Sequence, residues 1–68
     1  MELAHLRLAD RHIAEGELRI AAQFTLVEKL RRAKRSTGPA EDMLELLRTT
    51  MVAWQYHRSL IVASLNDG

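Results

Sequence analysis

Ser36-Thr37-Gly38-Pro39 is the one stretch of this chain that interrupts an otherwise helical pattern, and its reading decides the fold. Gly38 can take the conformation that closes a helix, while Pro39, with its fixed φ and missing N–H, suits the first turn of the next. The spacing predicts a tight turn over residues 36–39, between one helix of about residues 2–35 and a second of about residues 39–66.

Toward the N-terminus, Leu6, Ile13, Ile20 and Val27 recur every seven residues, each followed three positions later by Ala9, Gly16, Gln23 or Leu30. That spacing draws an apolar seam for a partner helix, widened by Leu3 and Phe24. Toward the C-terminus, Leu44, Leu47, Met51, Trp54, Ile61 and Leu65 keep the same alternation, interrupted at Arg58, and Leu46, Ala53 and Leu60 add a second apolar edge. One neighbouring helix covers a narrow seam, so a stripe this broad calls for two neighbours. The expected fold is therefore all-α: a two-helix antiparallel hairpin in one domain, completing a four-helix bundle with coiled-coil packing by dimerisation. The residues expected at the oligomer interface are Leu6, Ile13, Gly16, Ile20, Gln23, Val27, Leu46, Leu47, Met51, Trp54, Arg58, Leu60 and Ile61.

A turn centred near residues 37 and 38 pairs positions whose numbers add to roughly 75. Val27 is then expected near Arg48, Gln23 near Val52, Gly16 near Ser59 and His12 near Ala63, with the N-terminus overhanging by a turn or more. Size gives a second reason to expect assembly. At 68 residues a single core supplies only about 3–5 kcal/mol unless it is stapled. The chain has no cysteine, which removes disulfides and thiolate metal sites and leaves oligomerisation as the supported staple. A tetramer fits the pattern as well as a dimer does. A net charge of +1 predicts no general attraction to nucleic acid or anionic lipid. No uncharged run approaches the ~20 residues of a membrane span, and no signal-like segment opens the chain, so a cytoplasmic protein is expected.

Lys29, Arg31, Arg32, Lys34 and Arg35 form the densest charge cluster. Such a cluster is the footprint of a phosphate-contacting patch, and a nucleic-acid-associated factor is the alternative function it suggests. The plainer reading is a helix C-terminus whose cations oppose the macrodipole, with Glu41, Asp42 and Glu45 close by. No aromatic residue interleaves the cluster to stack on bases. His5, His12 and His57 raise a metal hypothesis, since Glu2 and His5 have the carboxylate-x-x-His spacing of di-iron bundles. The further inward carboxylates of such a site are missing, so neither a metal nor another cofactor is expected. Nor is an enzyme: there is no glycine-rich elbow, no cysteine nucleophile and no paired carboxylates in an apolar pocket.

Gly16 lies mid-helix, at a cost of about 1 kcal/mol relative to alanine, which points to close approach of the facing helix, where Trp54, His57 and Arg58 are the bulky residues of the stretch from Met51 to Val62. Gln23 on the seam reads as a device fixing register through a buried hydrogen bond, with Thr49, Thr50 or its own symmetry mate as partner. Arg58 is expected to pair with Glu15 or Glu17 at the seam's edge. The set His12-Ile13, Gly16-Glu17, Ile20 and Gln23, followed by Leu46-Leu47, Met51, His57-Arg58 and Ile61, resembles a group of short uncharacterised bacterial helical-hairpin proteins. The resemblance implies the hairpin fold and one interhelical constellation of Gly16, Gln23, His57 and Arg58, and it carries no activity. The function expected from these readings is a small interaction, scaffold or regulatory module that acts through self-association and meets other proteins through its free surface.

Overall fold

The computed structural model describes residues 2–67, the side chain of Glu2 excepted, as two antiparallel helices. They are α1, Glu2–Arg32, and α2, Gly38–Asp67. No strand occurs among the described residues, and none of their helices is long and apolar enough to cross a membrane.

α1 ends at Arg32, not near residue 35, and the left-handed residue that closes it is Lys34, not Gly38. Lys34 stands in the left-handed region at φ 57°. Its N–H donates to the Arg31 carbonyl at 3.0 Å, and the Arg35 N–H reaches the Leu30 carbonyl at 2.9 Å. Those two bonds make a Schellman cap with Lys34 in the place usually held by glycine. Gly38 has no positive φ; it opens α2 instead. Two features of the sequence force this exchange. Were Gly38 the left-handed residue, the second Schellman bond would fall to Pro39, which has no N–H to give. A helical residue directly before proline is also crowded at its Cβ, and glycine has none. Thr37 then caps α2 through its carbonyl, which accepts the Glu41 N–H at 2.8 Å.

The earlier stop re-registers the hairpin. Facing residues have numbers that add to about 67, not 75: Gly16 meets Met51, His12 meets Trp54 and Asp10 meets Arg58. Each α1 residue thus faces α2 about two turns nearer the hairpin turn than the sequence reading placed it. Moving the midpoint of the turn to residue 35 accounts for most of that change. The helices now end nearly level, so the expected N-terminal overhang is absent.

The periodicity is realised along the seam, except that Leu3, Phe24 and Leu65 are exposed and Ala40, not among the residues expected on it, is buried. Ala9 and Val27 on α1 and Ala40, Leu44, Met51 and Ile61 on α2 are buried, and Val27, Ala40 and Leu44 form a cluster near the turn with Ile20 and Leu30 against it. Gly16 has a packing cause, but the neighbour is Met51 and not Trp54, His57 or Arg58: a Cβ there would lie 2.7 Å from the Met51 Cε. The thioether of Met51 occupies the space that a side chain on α1 would fill. Two helices cannot enclose much, however, and no large side chain among the described residues is completely buried. The chain is a rod of 54 × 14 × 12 Å with a radius of gyration of 15.8 Å, against about 11 Å for a compact domain of this length.

Candidate self-association surface

A hairpin has two edges beside its seam, and here they differ in chemistry. The first is marked by Arg31, whose guanidinium donates to Glu28 at 2.6 Å and to Glu41 across the helices at 2.8 Å. With Glu45, Arg48 and Phe24 these residues line an open groove of about 420 Å³. Five charges around one shallow depression make a solvated edge, and such exposed pairs contribute only ~0.2–1 kcal/mol each.

The opposite edge is marked by an aromatic stack. The His12 ring lies over Trp54 with centroids 4.3 Å apart and planes at 17°, and His57 meets the same indole edge-on at 5.8 Å and 77°. Running along α2 on this side, Met43, Leu46, Thr50, Ala53, His57, Leu60 and Ser64 follow one another at alternating three- and four-residue steps. That is a second seam beside the one facing α1, and every residue of it is exposed. Met43, Leu46 and Leu60 leave 46%, 58% and 51% of their surface in solvent. From Met43 to Ser64 the row contains no Asp, Glu, Lys or Arg, and its next position is Asp67, the last residue of the helix. The corresponding row of α1 is mixed: it holds Glu15, Arg19 and Lys29 beside Leu8, Ala22 and Leu26.

Among the residues expected at an oligomer interface, only Leu46 and Leu60 are open in the single chain. Val27, Met51 and Ile61 are buried in the hairpin's own seam, and Leu6, Ile13, Gly16, Ile20, Gln23, Leu47, Trp54 and Arg58 are half-buried along it. Gln23 does bridge the helices, but its Nε2 donates to the Ala40 carbonyl at 2.9 Å and not to a threonine. Thr50 is committed instead to the Leu46 carbonyl of its own helix at 2.9 Å. Arg58 pairs with Asp10, at 2.5 Å, where Glu15 or Glu17 was expected. The shifted register explains both differences, since it carries each α2 residue about two turns along α1. Met43 and Leu26 escaped the sequence reading. The signal for Met43 was available in the uncharged row that it begins.

The five cations of the tip divide into two groups. Arg31 is held by Glu28 and Glu41, and of the acids expected near the cluster at the start of α2, Glu41, Asp42 and Glu45, only Glu41 pairs with one of its cations among the described residues. Lys29, Arg32, Lys34 and Arg35 are exposed, and no ion pair joins them to an acid among the described residues. The described residues contain no cluster of three or more His, Asp or Glu able to hold a metal, and the Glu2 carboxylate of the suspected motif lies outside what is described. No protein family model, curated protein or solved structure matches this chain.

Proposed function

We propose that this protein is a non-enzymatic interaction or scaffold module that acts by helical self-association, two hairpins closing into a four-helix bundle. One observation carries the reading. The chain exposes 5334 Å², whereas a compact body of 7.8 kDa exposes about 4,400 Å². The surplus of roughly 900 Å² per chain is close to the ~800 Å² that each partner contributes to a standard specific interface. The half-buried seam residues and the uncharged row of α2 adjoin one another, so a second hairpin laid on that side would cover both. Oligomerisation also supplies the staple that a cysteine-free chain of this size otherwise lacks. A hairpin released from its twin would offer the same row to another amphipathic helix, which gives the module a way to exchange partners.

Light scattering across the micromolar range tests the reading. The expected mass is that of two chains of 7.8 kDa each. A single-chain mass from a sample whose circular dichroism is fully helical would refute it.

A further inference from the structure

We infer, resting on the self-association proposed above, that two copies meet α2 against α2 in antiparallel fashion. In the inferred register Ala53 lies opposite the partner's His57, Thr50 opposite the partner's Leu60 and Leu46 opposite the partner's Ser64. Three observations single out this arrangement.

The first is charge. Between Met43 and Ser64 the exposed row of α2 contains no Asp, Glu, Lys or Arg, and Asp67 stands only at the helix end, while the matching row of α1 holds Glu15, Arg19 and Lys29 along its length. Laying α2 on the partner's α1 would press those charges against leucines without fixed counter-ions, and burial of an unpaired charge is heavily disfavoured. An uncharged row is best covered by its own copy.

The second is volume. In an antiparallel pair each layer joins a residue from one row of the seam to a residue from the other, and here the three inner layers each hold one large and one small side chain: Leu46 with Ser64, Leu60 with Thr50, His57 with Ala53, while Met43 falls opposite the partner's Asp67 at the helix end. Large against small at facing positions fills layers evenly. A parallel pair would stack like on like, crowding the Leu46, His57 and Leu60 layers while leaving voids at Thr50, Ala53 and Ser64. Slipping the antiparallel pair by one heptad has the same fault, since it sets Leu46 against His57 and Thr50 against Ala53.

The third is area. The surplus surface of each chain matches one standard interface and no more, so the reading commits to a single twin on this face.

The arrangement has a consequence for the molecule's shape. Its two-fold axis passes near residue 55, which places the two turns at opposite ends, roughly 60 Å apart at 1.5 Å per residue. The exposed cations Lys29, Arg32, Lys34 and Arg35 would then stand in two separate groups, one at each end of the rod.

Because the chain has no cysteine, introduced thiols report cleanly. Leu46→Cys and Ser64→Cys replace exposed side chains. Each variant oxidised alone should stay uncrosslinked, and an equimolar mixture should give the mixed disulfide. Spin labels on Ser36→Cys should in turn report a separation of tens of ångströms. Homodisulfides from each variant alone, or labels close together in the dimer, would overturn the antiparallel arrangement and leave self-association standing. A dimer mass with no mixed disulfide would do the same, pointing to α2 on the partner's α1. A single-chain mass for the unmodified protein would overturn the arrangement and the self-association together.

Discussion

Lys34 carries the one left-handed backbone step outside glycine among the described residues. A Cβ at that conformation costs on the order of 1 kcal/mol, which the two Schellman bonds at Leu30 and Arg31 offset. Lys34→Gly removes the steric cost and keeps the bonds, so it should stabilise the protein by roughly 0.5–1 kcal/mol, a rise of several degrees in Tm by thermal melting. Lys34→Ala keeps the Cβ and should gain nothing of that kind; equal gains from both would show that loss of charge, and not backbone relief, was the cause. Nothing in the sequence flagged this residue. Glycine is the expected occupant of such a cap, and a glycine stood four positions later, so the cap was assigned to Gly38. The proline after Gly38 was visible and was counted as a helix start, but its missing N–H also vetoes the cap there. Gly16 was legible because its mid-helix cost demands a cause. That the cause is Met51 depended on register.

At the scale of the element, α1 and α2 were readable in type and in approximate place, the end of α1 excepted, because their apolar residues keep one face over about four heptads. What periodicity leaves open is how far one helix slides along the other. Gln23 illustrates the division: its place on the seam marked it as an interhelical hydrogen bonder, but its acceptor is the Ala40 carbonyl in the first turn of α2. That bond ties the middle of α1 to the start of α2. Gln23→Ala should therefore cost about 1 kcal/mol in urea unfolding, the usual net worth of such a bond with its packing. Asp10→Ala, which breaks the exposed pair with Arg58, should cost no more than ~0.2–1 kcal/mol. A larger loss from Asp10 than from Gln23 would mean that the ion pair at the open end, and not the polar bridge near the turn, anchors the hairpin.

For the whole molecule the balance between core and surface decides behaviour. Six buried residues among those described, none of them a fully enclosed large side chain, leave the hairpin thinly stabilised by itself. If self-association supplies the rest, folding and assembly are linked by mass action, and Tm should climb with protein concentration. Leu46→Glu with Leu60→Glu changes two residues that are more than half exposed in the single chain. Their replacement leaves the hairpin's own seam intact while placing charge on the proposed contact row. The double variant should lose the concentration dependence, melt lower than the parent and scatter as a single chain. A variant that keeps the parent's mass would place the contact elsewhere, with the Phe24–Arg48 edge next to be tested.

The amino-acid sequence by itself determined that this chain is two amphipathic helices around one turn, because helix period and turn chemistry are local properties that neighbouring residues settle. It also showed that α2 has more apolar surface than one neighbour covers, since a face is defined by spacing alone. Only the tertiary structure decided which residues meet. Sliding by a turn preserves the apolar pattern almost unchanged, so the choice falls to volumes and hydrogen bonds that no local reading weighs: the Met51 methyl over Gly16, the Gln23 amide on Ala40, and the cap at Lys34 that fixes where α1 stops. From that stop follow the pairing of His12 with Trp54 and the uncharged row of α2 on the side of that stack.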